Sequence, residues 1–366
     1  MDAFSVRTKI MIGGGMDALA QRLHRVFLVT DKFMAESGKT NYVTDRLLRN
    51  GGEFKIFSDV QADPDIATVT RGVEQILEFQ PDAVVAFGGG SAIDAAKAIV
   101  FFAARERDMR DCKFIAIPTT SGTGSEVTSI AVITDKVNSV KIPLNDEMLI
   151  PDAAILDARF TRTVPPHVTA ATGMDVLTHA VEAYTSRYSN VFTAIYAEQA
   201  IRNVFTYLKR AYDHGDDMTA RDNMLIGSCM AGLAFTNSGL GVTHSMAHSL
   251  GGLFHIPHGL ANAVLLPFVI GFNSFDAGVK YTEIAAFIGL ESTTVEEGTR
   301  NLINAVRDLN TSMKIPARVR ELKVDEQVYR QSLDSMAANA LEDICTSSNP
   351  RMPSHDDIVT LLEQAW

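Results

Sequence analysis

Two different patterns of hydrophobic and polar positions divide the chain. In the first 157 residues, short apolar runs typical of buried strands alternate with stretches that have helical spacing. The apolar runs lie at residues 25–31, 54–57, 82–87, 113–118 and 153–156. Strands that are buried on both faces and separated by helices predict a parallel sheet of βαβ units.

After Asp157 the pattern changes to long segments with a period of 3.6, such as residues 191–209 and 221–234. Runs of β-branched residues are few here, so this half is predicted to be all helix. We therefore expect an α/β domain over residues 1–158 and an all-α domain over residues 159–366. A chain of 366 residues is long enough for two separate cores.

Histidines are concentrated in the helical half. Four of the nine lie within residues 241–259, and an Asp175-x-x-x-His179 pair precedes them. His244 and His248 are also four residues apart, and residues with this spacing project from the same face of a helix. Each pair is therefore expected to point into one cavity.

His258 adds a third segment to this group. It follows the helix-breaking residues Gly251, Gly252 and Pro257, so we expect a second helix start or a loop to present it. Imidazole nitrogens with one carboxylate oxygen suit Fe(II) or Zn(II) better than Mg(II) or Ca(II). An isolated histidine in a helix is usually only packed and hydrogen-bonded, but the combined pattern favours a metal site.

Composition narrows the classes of partner. The chain is 46% hydrophobic and 21% charged, and its formal net charge of −11 repels phosphate backbones and anionic membranes. No apolar run reaches the about 18 residues of a membrane span, and residues 1–25 lack a secretory signal pattern. Three widely spaced cysteines predict neither a disulfide framework nor a thiolate zinc site. We expect a cytoplasmic protein that binds neither nucleic acid nor membrane.

Glycines mark a candidate phosphate site in the first half. Gly88, Gly89, Gly90 and Ser91 directly follow the third predicted strand and precede a clear helix. Such a junction lets a backbone approach a pyrophosphate closely at a helix N-terminus. The chain has no G-x-G-x-x-G fingerprint, so the domain is called Rossmann-like by analogy. A similar triplet, Gly13–Gly15, is assigned to structure alone.

The neighbouring strands add further candidate nucleotide contacts. The loop Pro118–Glu126 interleaves glycine with small hydroxyl residues, including Ser125, and ligands of open parallel sheets bind beyond such strand ends. Asp94, in the helix after the glycines, is included in the same predicted set. Asp31 ends the first predicted strand, where a carboxylate would accept hydrogen bonds from a ribose and repel a 2′-phosphate, which favours NAD over NADP. Its alternative role is that of a helix N-cap.

Several motifs together resemble those of the iron-containing (group III) alcohol dehydrogenase family. The motifs are GGGSAIDAAKA, PTTSGTGSEVTS, TGMDVLTHAVEAY, the histidine block through PHGLANAVLLP, and DICTSSNPR. The resemblance spans nearly the whole chain. The central motifs are most similar to those of propanol and ethanol dehydrogenases associated with bacterial microcompartments.

This resemblance implies roles for individual residues. The implied metal ligands are Asp175, His179, His244 and His258, and His248 is the implied proton relay beside the nicotinamide. The resemblance also implies that the adenine side and the phosphates of the cofactor contact Thr119, Thr120 and Thr123. Lys141 would lie near the cofactor ribose. The alternative is that Lys141 is only a solvent-exposed charged residue on a strand.

The resemblance implies an NAD- and metal-dependent enzyme that interconverts short-chain primary alcohols and aldehydes. Fe(II) is the favoured metal, with Zn(II) as the alternative. Glycerol or diol dehydrogenases and dehydroquinate-synthase-like lyases share the architecture and stay open as alternatives, as do a metal hydrolase and a non-catalytic scaffold. We expect a homodimer, with microcompartment shell or cargo proteins as further partners and the microcompartment interior as a further location.

Overall fold

The computed structural model describes residues 4–136 and 140–366, which form two compact units. The first unit comprises residues 6–163, and the second comprises residues 164–366 together with residues 4 and 5. The predicted boundary fell after residue 158, and the units divide after residue 163.

The first unit is built on a parallel sheet, as predicted. Its strands are β1 Lys9–Ile12, β2 Arg25–Asp31, β3 Glu53–Val60, β4 Ala83–Gly88, β5 Lys113–Pro118, β6 Ile130–Asp135, β7 Val140–Asn145 and β8 Ala153–Leu156. All except β6 and β7 form one sheet in the order β1-β8-β5-β4-β2-β3, whose neighbouring strands are parallel. The five predicted strands are confirmed as β2, β3, β4, β5 and β8. The short strand β1 and the antiparallel pair β6–β7 were not predicted.

Helices cover both faces of this sheet. They are α1 Met16–Ala20, α2 Lys32–Glu36, α3 Asn41–Arg49, α4 Ile66–Phe79 and α5 Gly90–Glu106. Successive side chains of a strand point to opposite faces. Val26 and Leu28 of β2 therefore join the apolar cluster under α1 and α3, whereas Phe27 and Val29 join the cluster under α4 and α5. This double burial explains the continuous apolar runs in the sequence.

The second unit is helical, and no strand occurs among its described residues. Its helices are α6 Pro166–Thr185, α7 Val191–Asp213, α8 Met218–Ser238, α9 Val242–Phe254, α10 His258–Phe287, α11 Val295–Ser312, α12 Glu326–Gln331, α13 Leu333–Glu342 and α14 His355–Ala365. One large apolar cluster joins these helices. The predicted fold class, an α/β domain followed by an all-α domain, is confirmed.

Helices α6 and α10 form the centre of this unit. Every residue of α6 from Gly173 to Thr185 is buried. By length and composition α10 would reach across a bilayer, but 61% of its most apolar window is buried inside the unit, as in the core helix of a globular domain. The buried polar residues of these two helices therefore lie inside the core, where they require polar partners.

Candidate metal centre and nucleotide loops

Helix α6 carries three polar side chains on one buried face. Asp175, His179 and Glu182 occupy positions i, i+4 and i+7, which lie on the same side of a helix. Their exposed fractions are 3%, 4% and 4%. Burial of such groups is costly unless other elements supply polar or charged partners.

Helices α9 and α10 supply these partners. His244 lies in the first turn of α9, and His258 is the first residue of α10. Between them, α9 ends at Phe254, His255 caps it with a left-handed φ of 55°, and Pro257 immediately precedes α10. The expectation that His258 comes from a second helix start is confirmed.

Gly259 lets the start of α10 approach α6 closely. A Cβ atom at this position would lie 2.8 Å from the carbonyl carbon of Ala171 and 3.2 Å from Cβ of Asp175. The first of these contacts is with backbone, which has little freedom to move away. Only glycine therefore fits where the chain presents His258 to Asp175.

Four predicted ligands converge in this core. One ligand atom from each of Asp175, His179, His244 and His258 lies within 4.8 Å of the others. Oδ1 of Asp175 is 3.8 Å from Nε2 of His244 and 3.5 Å from Nε2 of His258. Ligand atoms around a tetrahedral zinc are about 3.3–3.6 Å apart, given bonds of about 2.0–2.2 Å. The spacing therefore fits one divalent cation with small side-chain adjustments.

The protonation of this group also suits a cation. Burial, reinforced by the neighbouring charges of His179 and His258, holds the pKa of His244 well below its usual range. Burial raises the pKa of Asp175, but the three histidines outweigh it and leave that pKa lowered. A neutral imidazole and an ionised carboxylate are the forms that bind metal. Among the described residues, buried Nε2 of His244 has no hydrogen-bond partner, as expected for an atom reserved for a ligand.

Asn262 belongs to this cluster, although the sequence analysis did not identify it. Its Nδ2 donates to Oδ1 of Asp175 at 2.8 Å and lies 3.2 Å from Nε2 of His258. It follows His258 by four residues, one turn of α10, and this spacing is the only sequence pattern that could have indicated it. Asn262 therefore helps to orient two of the four ligands.

Glu182 was also not predicted as a site residue, and it contacts His244 at Nδ1, the nitrogen that faces away from Asp175. Its Oε2 lies 2.6 Å from Nδ1 of His244 and accepts the Gly241 amide at 2.8 Å, while its Oε1 accepts the Thr243 amide at 2.7 Å. Burial raises the pKa of Glu182 to about 7, and hydrogen bonds from Thr243 and Gly241 oppose that rise.

His248 lies beside the four predicted ligands but does not belong to their group. Its ring stacks on that of His258 with centroids 5.2 Å apart, and its Nδ1 is 2.7 Å from Oδ2 of Asp343. Burial raises the pKa of Asp343, but the hydrogen bond and charge of His248 and the Cys345 amide outweigh it and hold that pKa well below its usual range. In the sequence Asp343 is only the first residue of the DICTSSNPR motif, and its contact with His248 was not predicted.

The predicted phosphate loop lies where β4 meets α5. Gly88 ends the strand, Gly89 is the N-cap of α5, and Ser91 follows in its first turn. A Cβ atom on Gly89 would lie 3.3 Å from Oγ1 of Thr120, and one on Gly90 would lie 2.9 Å from Oγ1 of Thr123. The glycines therefore let the threonine loop pack directly against the helix start.

Two more predicted residues adjoin this loop. The Thr119 amide donates to the Gly88 carbonyl at 2.9 Å. Asp31 ends β2, and its Oδ2 would be 3.6 Å from a Cβ atom on Gly88. Its Oδ1 accepts the Met34 amide at 2.9 Å and so caps α2. Asp31 thus has the N-cap role, while its other oxygen faces the glycine loop and its contact with ribose stays a prediction.

Asp94 and Ser125 bond to each other in the structure. Oγ of Ser125 donates to Oδ1 of Asp94 at 2.6 Å, and the Val132 amide donates to Oδ2 at 3.1 Å. Both carboxylate oxygens of Asp94 therefore hold protein groups that join α5 to the loop and to β6. Lys141 pairs with Asp63 at 2.7 Å on the surface. Cofactor contacts by these three predicted residues stay predictions.

Comparisons with known proteins agree with these motifs. Residues 8–158 match the family model described as iron-containing alcohol dehydrogenase, and residues 169–366 match the Fe-containing alcohol dehydrogenase family, C-terminal. The chain is 42% identical over 344 residues to an NADPH-dependent butanol dehydrogenase of Clostridium saccharobutylicum, covering 90% of this chain and 88% of that protein. It is also 42% identical over 370 residues to a 1-propanol dehydrogenase of Citrobacter freundii, with each chain covered completely.

A solved structure gives the same result for the fold. A 1,3-propanediol oxidoreductase superposes with a TM-score of 0.94 at 34% sequence identity, and each chain is covered completely.

Proposed function

Because the chain belongs to the iron-containing alcohol dehydrogenase family, we propose that it transfers hydride reversibly between short primary alcohols and NAD. The observation that carries this proposal is the convergence of four ligand atoms within 4.8 Å, beside a histidine that does not belong to the set. Family membership disfavours the metal hydrolase and the scaffold. The shared family also makes a lyase without net redox chemistry a weaker candidate.

The proposed metal ligands are Asp175, His179, His244 and His258. A bound divalent cation would act as a Lewis acid toward the alcohol or carbonyl oxygen. The nitrogen and carboxylate donors suit Fe(II) and Zn(II), and the family name favours iron. Asn262 holds the carboxylate of Asp175 in place, and the aromatic stack of His179 on His244, with centroids 4.6 Å apart, fixes both rings.

His248 is the proposed proton relay. Its Nδ1 is held by Asp343, so its Nε2 is the atom left to take the hydroxyl proton of the alcohol. The side chain is 39% exposed, which gives the proton a route to solvent. In alcohol oxidation this ring would take the hydroxyl proton, and bound NAD would supply the hydride acceptor.

The proposed cofactor is NAD, held by residues of the first unit. The loop Gly88–Ser91 is suited to the pyrophosphate, and the hydroxyls of Thr120 and Thr123 lie next to these glycines. The free oxygen of Asp31 beside Gly88 disfavours a 2′-phosphate by charge repulsion. One relative is named for its use of NADPH, so the ratio of activities with NAD and NADP tests this point directly.

The proposed substrates are primary alcohols and aldehydes of two to four carbons, consistent with relatives named for 1-propanol and butanol. The test is elemental analysis of anaerobically purified protein, combined with NADH-coupled assays of C2–C4 aldehydes and alcohols. We expect about one metal per chain and turnover that depends on it. Full activity after complete metal removal would contradict the proposal.

A second candidate substrate class is the diols, because the fold matches a 1,3-propanediol oxidoreductase at a TM-score of 0.94. The same assays with 1,3-propanediol and glycerol separate the two classes. A value of kcat/KM for a diol above that for 1-propanol would favour the second candidate.

The proposed location and assembly rest on the similarity of the central motifs to those of microcompartment-associated propanol and ethanol dehydrogenases. We propose a cytoplasmic homodimer that is packaged inside a bacterial microcompartment with shell or cargo proteins. Light scattering of the purified protein tests the dimer, and co-purification with isolated shells tests the packaging.

A further inference from the structure

Glu182 connects the proposed metal site to the start of helix α9. It lies on the same face of α6 as Asp175 and His179, one turn beyond the second ligand. Its carboxylate reaches across to His244, the ligand on α9, 62 positions later in the chain. One face of α6 therefore supplies two ligands and the support for a third.

The carboxylate of Glu182 is surrounded by donors. Oε1 accepts the Thr243 amide at 2.7 Å, and Oε2 accepts the Gly241 amide at 2.8 Å and contacts Nδ1 of His244 at 2.6 Å. Gly241 and Thr243 bracket the first residue of α9, so these are amides that lack partners within the helix. Because both oxygens face backbone N–H groups, an ionised carboxylate satisfies all three contacts as acceptor.

This arrangement fixes which nitrogen of His244 carries the proton. When Nδ1–H donates to Glu182, Nε2 keeps its lone pair, and buried Nε2 is the atom that lies 3.8 Å from the Asp175 carboxylate. Metal-bound histidines commonly donate their second nitrogen to a carboxylate, which sets the tautomer and raises the basicity of the ligand.

We propose that Glu182 is a positioning residue that sets the tautomer of His244 and thereby the affinity of the site for its metal. This inference rests on the proposed metal site. Glu182 does not belong to the group of four candidate ligands, and it acts through the imidazole that it holds.

A purely structural role as a helix cap would be the competing explanation, and the chain contains a control for it. Oδ1 of Asn349 accepts the Val242 amide at 3.1 Å and so caps the same helix start. Asn349 is fully buried, as Glu182 nearly is, and both adjoin Gly241, where a Cβ atom would lie 2.7 Å and 2.8 Å from their oxygens. The contacts described for Asn349 do not include His244.

The substitution Glu182→Gln separates the two roles. A carboxamide has one acceptor oxygen, so either orientation turns an N–H group toward a backbone N–H of Gly241 or Thr243. The orientation with nitrogen in place of Oε2 also donates to Nδ1 of His244, which transfers the proton to Nε2 and blocks metal binding there.

The first measurement is the dissociation constant for Zn(II), obtained by chelator competition on the full chain. We expect Glu182→Gln to weaken binding about 10- to 100-fold, the range typical of residues that support a metal ligand. We expect Asn349→Ala to lower thermal stability but to change the Zn(II) affinity less than threefold. Equal loss of affinity in both variants would overturn the proposal in favour of a helix cap.

The second measurement needs no variant at position 182. Nitrogen-15 NMR of histidine-labelled, metal-stripped protein, with His244→Ala to assign the signal, reports the tautomer. A proton on Nδ1 of His244 is expected, and a proton on Nε2 would overturn the proposal even if Glu182→Gln fails to fold.

The outcomes also separate this inference from the proposed function. Wild-type protein that binds Zn(II) and loses it in His258→Ala, but binds it unchanged in Glu182→Gln, overturns only the role of Glu182. Wild-type protein that takes up no metal overturns both.

Discussion

His244 and His248 lie one turn apart on α9, and each presents Nδ1 to a carboxylate from another part of the chain. The distances are similar, 2.6 Å to Glu182 and 2.7 Å to Asp343. Their surroundings differ, because the side chain of His244 is 1% exposed and that of His248 is 39% exposed.

Burial, rather than the carboxylate partner, therefore distinguishes the two histidines and their proposed roles. Burial lowers the pKa of His244, so this ring is neutral and offers a lone pair to a cation. The side chain of His248 reaches solvent, as the proposed proton relay requires. In the proposed function, the same histidine–carboxylate pair serves metal binding in the core and proton transfer at its edge.

The largest effect is expected from His244→Ala. Removing a ligand should weaken metal binding by more than the roughly 10–100-fold that is typical for a supporting residue, and alcohol oxidation should disappear with it. Metal content by mass spectrometry and NADH formation measure the two losses. Retention of metal at the wild-type level would remove His244 from the ligand set.

His248→Ala should affect catalysis but not metal binding. We expect kcat to fall by about 10²–10⁴-fold, the usual contribution of a positioned acid or base, with metal content unchanged. Loss of metal in this variant would break the distinction between the two histidines. A glutamine at this position serves as the matched polar control.

Asp343→Asn should have a smaller effect. The imidazole of His248 stays present but loses its ionised partner, so we expect a fall in kcat of about tenfold, with KM and metal content little changed. Steady-state kinetics over pH 6–10 would measure this fall. A loss as large as that of His248→Ala would mean that the ring cannot take the proton without its ionised partner, so that the carboxylate rather than exposure decides its role.

The smallest effect concerns stability in acid. The folded protein holds the pKa of Asp343 below its unfolded value, so this carboxylate stabilises the fold above about pH 3.9 and loses that contribution as the pH falls. The free energy of unfolding should therefore be lower in Asp343→Asn by about 1 kcal/mol at pH 6, with a smaller difference at pH 3. Urea titrations at both pH values test this, and a difference that grows in acid would contradict the assigned direction.

Much of the fold and the convergence of the four candidate ligands could be predicted, because both follow local patterns. Doubly buried strands give continuous apolar runs, and ligands on a helix recur at four-residue spacing. Glu182 and Asp343 were not predicted as functional, because their histidine partners lie 62 and 95 positions away. Contacts at such separations leave no periodic signal in one sequence.

The two glycine triplets show a similar limit. Gly13, Gly14 and Gly15 have φ angles of 76°, 144° and 151°, so their backbone requires glycine. The loop Gly88–Gly90 has none of these positive angles, and there glycine is required by the nearby side chains of Ala92 and Thr123. The letters are identical, and only the three-dimensional surroundings distinguish a backbone requirement from a packing requirement.

The missing side chain at Gly259 has a consequence for engineering. A design that transfers the three histidines and the aspartate to another helical scaffold also needs this glycine. A methyl group there would move His258 away from Asp175. Such a design therefore has to specify five residues, one of which, the glycine, contributes only its small size.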